Sequence, residues 1–358
     1  MSKFLSDKYK KLEAYVPGEQ PVDKKYIKLN TNESPYPPSP EVSLAVKCEG
    51  KKLNLYSDPE VKRLLKLTAQ RFSVSEDMVL LTNGSDEILD FAFMAFCDGG
   101  KPIAFPDISY GFYSVFANLY GIPYKEIPLD ADFNVNYRDY LGVGANIVIA
   151  NPNAPTGTFM PIWQIEEILK SNPENIVIID EAYIDFGAES AISLIPKYEN
   201  LLVTQTFSKS RSLAGARLGF GIANSSVIAD LKKIKYSRNP YNVNRMTMAA
   251  GCAVLENDVY YMDNCKKIES TRAMTKKELE SLGFFVLDSM ANFLFAKSDN
   301  ISGEELYLKL KDRGILVRHF KKPRISEFNR ITVGTDEEMK ALLLAIKDIL
   351  KEKCNESI

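Results

Sequence analysis

Residues 147–157 read IVIANPNAPTG, an uninterrupted apolar run followed by a turn rich in proline, asparagine and glycine. An apolar run with polar residues at its end returns at 176–183 (IVIIDEAY) and at 201–209 (LLVTQTFSK). Runs that are apolar throughout, rather than at alternate positions, are typical of strands covered on both faces. Between the first two runs, residues 163–169 have the spacing of a helix. Strand, helix and strand in this order predict an α/β fold with a parallel sheet.

The pattern changes on both sides of this core. We interpret residues 1–40 as an irregular arm, since 32–40 is too rich in proline for a helix or a central strand. A helix is predicted to begin at Ser85, and after about residue 250 a smaller α+β unit follows. For that unit we predict helices over 266–282, 304–311 and 336–351, and strands over 284–287, 293–296, 315–318 and 330–333. The expected domains are an arm (1–40) that packs with the small domain, a large domain (41–249) and the small domain (250–358).

Composition and charge exclude several classes of function. The 358 residues carry a formal net charge of −2, so neither nucleic acid nor a membrane surface is an expected partner. No apolar run approaches the roughly 20 residues of a spanning helix, and the five scattered cysteines are typical of free thiols in a reducing compartment. We therefore expect a cytoplasmic protein. The single histidine, His319, excludes a multi-histidine metal site, and we predict no metal.

The residues that follow each apolar run are the candidates for chemistry, because open parallel sheets bind ligands at the carboxyl ends of their strands. The first run leads into the turn 151–157, the second ends at Asp180, and the third is followed by Lys209. A fourth feature, residues 83–86, precedes a predicted helix, whose free N–H groups and dipole favour a phosphate. A ligand with a phosphate, an aldehyde and a basic ring nitrogen meets all of these features. Pyridoxal phosphate is such a ligand, and we predict it as the cofactor.

This cofactor implies a role for each candidate. Lys209 is expected to form a Schiff base with the aldehyde and, once released, to take the substrate α-proton, which requires a lowered pKa. Asp180 is expected to pair with the ring nitrogen and keep it protonated. An isolated lysine is more often a surface residue, and an aspartate here could instead cap a helix. The residues expected around the phosphate are Gly84, Ser85, Asp86, Thr206, Ser208 and Arg217.

Five motifs in this order resemble the fold-type I aminotransferases, and among them the histidinol-phosphate aminotransferases. They are GSDE (84–87), NPNAPTG (151–157), DEAY (180–183), TFSK (206–209) and LAGARLGF (213–220). The resemblance extends over nearly the whole chain and includes LNTNESPYPPSP (29–40) and RITVGT (330–335). It implies a large domain with a mostly parallel sheet, a smaller α+β domain and a homodimer. The implied reaction moves an amino group from a small-molecule donor, histidinol phosphate, to a 2-oxo acid, 2-oxoglutarate, in histidine biosynthesis.

The resemblance also implies further site residues. Tyr110 would stack on the cofactor ring, Tyr183 would contact its phenolic oxygen, and Tyr56 would reach the cofactor phosphate of the neighbouring subunit; the alternative for Tyr110 and Tyr56 is ordinary core packing. Arg330 would bind the substrate carboxylate as a two-pronged donor. The residues near the far phosphate of the substrate would be Tyr15 and Arg318.

One position departs from the family. Where its members usually carry asparagine before Pro-Thr-Gly, in contact with cofactor and substrate, this chain has Ala154. Asn153 or Asn151 could supply the missing amide, and we predict Asn153 as a cofactor contact.

Other functions remain open on the sequence alone. An aromatic or broad-specificity aminotransferase and a phosphothreonine decarboxylase would share the same fold and cofactor. A cofactor-binding regulator without turnover is disfavoured, because residues 1–40 are too short and too rich in proline to form a DNA-binding module.

Overall fold

A computed structural model describes residues 2–10 and 12–356 of the chain. Its strands are β1 (Ile27–Lys28), β2 (Val79–Thr82), β3 (Ile103–Pro106), β4 (Tyr124–Ile127), β5 (Asn146–Ala150), β6 (Val177–Asp180), β7 (Leu201–Thr206), β8 (Gly219–Ala223), β9 (Phe284–Val286), β10 (Phe293–Ser298), β11 (Ile315–Leu316), β12 (Arg318–His319) and β13 (Asn329–Thr332). Its α-helices are α1 (Pro40–Gly50), α2 (Lys62–Phe72), α3 (Ser85–Phe96), α4 (Phe112–Tyr120), α5 (Ile162–Ser171), α6 (Ser225–Arg238), α7 (Arg245–Glu256), α8 (Asp258–Ser281), α9 (Gly303–Asp312) and α10 (Asp336–Glu356).

The large sheet has seven strands in the order β2-β8-β7-β6-β5-β3-β4. Strands β4, β3, β5, β6 and β7 run parallel, whereas β8 is antiparallel to both β7 and β2. The three apolar runs of the sequence are its central strands β5, β6 and β7, so the predicted mostly parallel sheet is confirmed. In the register of these strands, Asp180 lies between Ala150 and Thr204. The polar segments after the three strands therefore leave the sheet at one edge.

Helices cover the large sheet on both faces. Successive residues of one strand enter different cores: Ile147 and Ile149 pack with Ile165 of α5, whereas Val148 packs with Phe91 of α3. Because side chains alternate across a strand, a strand that is covered twice must be apolar at every position. This is why the three runs carry no polar residue until they reach the sheet edge.

The second part of the chain contains a four-stranded antiparallel sheet, β12-β13-β10-β9, with α8, α9 and α10 packed around it. The predicted single strand over 315–318 is wrong. The chain forms two short strands on either side of Val317: β11 pairs in parallel with β1, and β12 pairs antiparallel with β13. Residues 315–316 and 318–319 thus pair with different strands. The periodicity of the sequence does not predict this split, because it depends on partners distant in the chain. The arm is also less irregular than predicted, because it contributes β1.

We propose that the chain is organised as an arm (1–40), a large domain (41–249) and a small domain (250–358). The pairing of β1 with β11 and the position of Leu29 in the core beside α10 support an arm that packs with the small domain. Helix α7 spans the proposed boundary at residue 249 and packs on α1 and α2 of the large domain. Among the helices of the described residues, none combines the length and the apolar character needed to cross a bilayer.

Candidate active site

A cavity of about 180 Å³ lies where β5, β6 and β7 end. It opens beside a second cavity of about 440 Å³, and Tyr110, Ala154, Tyr183 and Lys209 line both. The predicted site residues around the smaller cavity are Ser85, Asp86, Tyr110, Asp180, Tyr183, Thr206, Ser208, Lys209 and Arg217. The edge of the parallel sheet therefore brings together segments that are more than 100 residues apart in sequence.

Asp180 is the last residue of β6, and it is 4% exposed. Its Oδ2 accepts a hydrogen bond from the Tyr113 hydroxyl at 2.8 Å, and its Oδ1 accepts one from the Ala182 N–H at 3.3 Å. Burial raises the pKa of the Asp180 carboxyl to about 6, although the bond from Tyr113 works against this rise. Asp180 is thus a buried carboxylate that faces a cavity and has only neutral donors around it.

Lys209 follows β7 by three residues and faces the same cavity. Its Nζ donates to the Thr31 carbonyl oxygen at 3.2 Å and lies 5.9 Å from the centre of the Tyr183 ring. Burial, followed by the nearby positive charge of Arg330, lowers the pKa of the Lys209 amine to about 8. An amine with this pKa is available in its neutral form near physiological pH, so it can act as a nucleophile or a base.

Four polar side chains, which we call the polar cup, form the end of the cavity next to β8. They belong to Asp86, Thr206, Ser208 and Arg217. Arg217 forms an ion pair with Asp86 (Nη2 to Oδ2, 2.9 Å), and its Nη1 donates to the Ser208 hydroxyl at 3.4 Å. Thr206 in turn donates to Ser208 at 2.9 Å. Gly84 lies against this group, since a Cβ at its position would be 2.6 Å from Arg217 Nη2. Glycine is favoured here by its φ of +83°, and it also leaves room for the Arg217 guanidinium.

Ser85, the first residue of α3, lines the same cup. The first turn of a helix has N–H groups without intrahelical partners, and its dipole favours an anion. Together with Arg217, this helix start provides the donors that a phosphate group needs.

Two tyrosines form walls of the cavity. The Tyr110 hydroxyl donates to Asp86 Oδ1 at 2.8 Å. Tyr183 is 9% exposed and its hydroxyl accepts a hydrogen bond from Asn32 Nδ2 at 2.9 Å. Its ring packs edge-on against Phe293, with 5.1 Å between the ring centres. Both tyrosines therefore have partners that fix their position beside Lys209.

The larger cavity is lined by the three residues predicted to contact the substrate, Arg330, Tyr15 and Arg318. Arg330 donates through Nη2 to the Asn30 carbonyl oxygen at 3.0 Å, whereas its buried Nε has no partner among the described residues. Burial lowers the pKa of Arg330 below its ordinary value. A partly buried guanidinium that lines a cavity favours an anionic ligand.

Comparison with known proteins identifies the family. The sequence profile described as aminotransferase class I and II matches residues 24–346. A histidinol-phosphate aminotransferase of Brachyspira hyodysenteriae is 53% identical over 98% of this chain and 100% of its own length. The chain belongs to the histidinol-phosphate aminotransferase family of class I and II aminotransferases. It is an enzyme that transfers amino groups, as the motifs predicted.

Solved structures agree with this aminotransferase fold. The histidinol-phosphate aminotransferase of Clostridium acetobutylicum matches with a TM-score of 0.83 at 26% identity, covering 91% of this chain and 99% of that one. The enzyme of Sinorhizobium meliloti, solved in complex with pyridoxal-5'-phosphate, has a TM-score of 0.85 at 23% identity and covers 92% of both chains. The predicted fold-type I architecture is confirmed.

The structure does not bring Asn153 into the site of this aminotransferase. Its Oδ1 accepts from Ser109, and its Nδ2 donates to the Ile108 carbonyl oxygen and to Thr156, so its side chain holds the turn together. Asn151 is used in the same way, since both atoms of its amide bond the backbone of Met160. The prediction that Asn153 contacts the cofactor is therefore wrong, because its side-chain amide points into the turn and not into the cavity. Of this turn, Ala154 lines both cavities and Pro155 lines the larger one, and neither side chain carries an amide.

Tyr56 lies outside both cavities of its own chain. It is 81% exposed and stacks on Tyr241, with 4.7 Å between the ring centres. The role assigned to it concerns a neighbouring subunit and stays a prediction.

Two residues of the site of this aminotransferase were not found from the sequence. Tyr113 of α4 bonds Asp180, and Asn32 of the arm bonds Tyr183. For Asn32 the segment 29–40 was a signal, because its motif resembled the family, but the motif did not indicate a role. Tyr113 has no signal, since an apolar helix position next to aromatics usually belongs to a core.

Proposed function

We propose that this aminotransferase exchanges the amino group of histidinol phosphate with the keto group of 2-oxoglutarate, using pyridoxal phosphate bound in the smaller cavity. The observation that carries the proposal is the buried Asp180 carboxylate facing the Lys209 amine across one cavity. The choice of substrate is supported by relatives that carry the name histidinol-phosphate aminotransferase, and the choice of cofactor by the Sinorhizobium meliloti complex.

The residues of the site fit pyridoxal phosphate. Asp180 has no cationic partner among residues 2–10 and 12–356, so a protonated ring nitrogen would supply the missing opposite charge. Arg217, Ser208 and the start of α3 at Ser85 form a set of donors of the right kind for the phosphate. The carboxylate, the cup and Lys209 line one cavity, in which the aldehyde would be held at Lys209.

The remaining residues would orient the cofactor. Tyr110 lines the cavity and would lie against the ring, while Tyr183 would donate to the phenolic oxygen. Asp86 holds Arg217 by an ion pair and Tyr110 by a hydrogen bond, so it would fix the phosphate end of the site.

Bound pyridoxal phosphate supplies an aldehyde carbon that takes the amino group and a ring that accepts electrons from the substrate. Lys209 would move the proton at the substrate α-carbon, and its pKa of about 8 gives it the neutral amine that this requires. Arg330, which lines the larger cavity, would bind the substrate carboxylate through its guanidinium group. The arm residues Asn30 and Thr31, which bond Arg330 and Lys209, would exclude water from this side.

The larger cavity supports a substrate with a second anion. Arg318 and Lys321 line it together with Tyr15, whose ring lies 4.6 Å from Phe112. Cationic and aromatic side chains that line the same cavity would suit the phosphate and the imidazole of histidinol phosphate. The same aromatic surface favours an aromatic amino acid as the second candidate substrate.

Lys209→Ala tests the proposal most directly. We expect the purified variant to lose transamination and to lack the visible absorbance of covalently held cofactor, whereas Lys235→Ala, a matched change of another lysine with a lowered pKa, retains both. In the wild-type enzyme, turnover of histidinol phosphate should exceed that of phenylalanine, and no carbon dioxide should be released. A higher rate with phenylalanine, or decarboxylation, would contradict the proposed substrate.

We also propose a homodimer, in which Tyr56 would reach the cofactor phosphate of the partner subunit. Leu53, Leu55 and Tyr56 form an exposed apolar stretch, and Leu44 of α1 adds to it. Apolar residues concentrated in this way favour a protein–protein contact. Sedimentation should give twice the mass of one chain, and Tyr56→Phe should weaken cofactor retention.

We propose the cytoplasm as the compartment, because the five cysteines are free thiols in the structure. Fractionation of cells that express the tagged chain would test this.

A further inference from the structure

Asn32 lies in the arm segment that crosses the larger cavity, and it is 1% exposed. Its backbone has a left-handed φ of +56°, which asparagine tolerates better than most residues. The Asn32 N–H donates to Thr332 Oγ1 at 3.0 Å, and the Asn32 carbonyl oxygen accepts from Asn292 Nδ2 at 3.1 Å. The small domain therefore holds this residue in one place.

The same contacts determine which way the Asn32 amide points. Thr332 has a single hydroxyl proton, and it donates that proton to Asn32 Oδ1 at 3.0 Å. The other end of the amide, Nδ2, then donates to the Tyr183 hydroxyl at 2.9 Å. An amide turned the other way would reverse both bonds, and the buried Thr332 hydroxyl, which already accepts from the Asn32 N–H, would then lose its only acceptor among the described residues. The Thr332 proton therefore favours the orientation in which Nδ2 faces Tyr183.

This bond sets the direction of the Tyr183 hydroxyl proton. A phenol has one proton to donate, and its oxygen already accepts from Asn32. The proton is therefore free to point away from Asn32, towards the cavities that Tyr183 lines together with Lys209. A hydroxyl oriented in this way is a prepared donor for a ligand oxygen between Tyr183 and Lys209.

Ala154 lines both cavities, but it presents only a methyl group, and it packs in the same apolar cluster as Tyr183. Asn151 and Asn153, on the same turn, direct their amides into the turn. The side-chain amide that meets Tyr183 comes instead from the arm, from a residue 122 positions before Ala154.

We propose that Asn32 is a positioning residue of the transamination site, which orients the Tyr183 hydroxyl towards the cofactor and so compensates, through Tyr183, for the amide that Ala154 lacks. This proposal rests on the proposed function of the site. It couples the arm to the reacting centre, because Thr332 and Asn292 of the small domain bond the Asn32 backbone and Thr332 also bonds its side-chain amide.

The test uses Asn32→Gly, since glycine adopts the left-handed backbone without strain and removes only the amide. We expect kcat to fall about 10-fold, the size of one lost hydrogen bond, with KM for the amino donor changed by less than about 2-fold. The visible absorbance maximum of the bound cofactor should shift. A spectrum and a kcat equal to those of the wild-type enzyme would overturn the proposal.

A double-mutant cycle with Tyr183→Phe separates this role from a merely structural one. If Asn32 acts through the tyrosine, Asn32→Gly in the Tyr183→Phe background should lower kcat by less than about 2-fold more. If kcat of the double variant instead falls by the product of the two single-variant factors, the residues act independently and the proposal is wrong.

Ala154→Asn provides a rescue. Added to Asn32→Gly, it should restore part of kcat and return the spectrum towards that of the wild-type enzyme, and a double variant no better than Asn32→Gly would contradict the second half of the proposal. Should Asn32→Gly fail to fold, Asn32→Asp keeps the acceptor for Thr332, lacks the donor for Tyr183, and should show the same loss. Failure of the proposed function would be distinct, because the wild-type enzyme itself would then not transaminate.

Discussion

Asp180 and Glu181 are consecutive acidic residues at the end of β6, and both are buried, yet they have opposite surroundings. Asp180 faces the cavity beside Lys209. Glu181 is 1% exposed and accepts hydrogen bonds from Ser190 (2.6 Å), the Ala191 N–H (2.6 Å) and Gln205 (2.8 Å). Since neighbouring residues of an extended chain point to opposite sides, one carboxylate enters the site and the other enters the protein.

The two carboxyl groups differ in their hydrogen-bond donors and in their access to the cavity, not in the direction of their pKa shifts. Burial raises the pKa of both, to about 6 for Asp180 and to about 7 for Glu181. Glu181 accepts from three donors inside the protein, whereas Asp180 accepts from two donors and lines a cavity of about 180 Å³. A raised pKa therefore does not identify the functional acid here. What identifies it is a buried carboxyl group that faces a cavity.

The strongest contrast is expected in activity. Asp180→Asn removes the charge facing the cavity, and kcat should fall by at least about 100-fold, whereas Glu181→Gln should retain kcat within about 3-fold. Steady-state transamination assays of the two purified variants would measure this. Equal losses in both would mean that position 180 acts through the fold rather than through the cofactor.

A smaller effect is expected at Tyr113, which donates to Asp180. Tyr113→Phe removes one hydrogen bond from a buried carboxylate and should lower kcat about 10-fold, since a bond to a charged group contributes about 1.5 kcal/mol. Tyr140→Phe is the matched control, because the buried Tyr140 hydroxyl has no hydrogen-bond partner among the described residues. It should keep full activity, and a loss there as large as at Tyr113 would argue against a specific contact.

The smallest effect concerns stability and pH at Glu181. Its pKa is raised from 4.5 to about 7, so folding favours the neutral carboxyl. The stabilisation is complete below pH 4.5 and is lost as the pH rises through about 7, by an amount on the order of 3 kcal/mol. Denaturant unfolding of Glu181→Gln between pH 5 and 8 should lack this decrease. A decrease as steep as that of the wild-type enzyme would assign it to other groups.

The three central strands of the large sheet and the main residues of the chemical centre were predicted from the sequence. The runs 147–150, 176–179 and 201–203 are apolar at every position because helices cover both faces of the sheet, and such a pattern is local. The parallel order of the strands then brings their ends to one edge, so Asp180, Lys209 and Arg217 were expected to meet, and they line one cavity.

The failures have a common cause. The split of the strand at Val317, the inward direction of the Asn153 amide and the contacts of Tyr113 and Asn32 all depend on partners distant in sequence. Hydrogen bonds of this kind leave no periodic pattern, since each needs only one polar atom at the right place in space.

The sequence alone thus specified the class of fold, the family and the residue types of the reacting centre, because burial on two faces and chemistry at strand ends constrain residues that are near one another in the chain. The three-dimensional arrangement decided which amide meets Tyr183 and which of two adjacent acids faces the cavity. Those choices depend on side-chain direction, which is settled when the arm, the turn 151–157 and the small domain pack together.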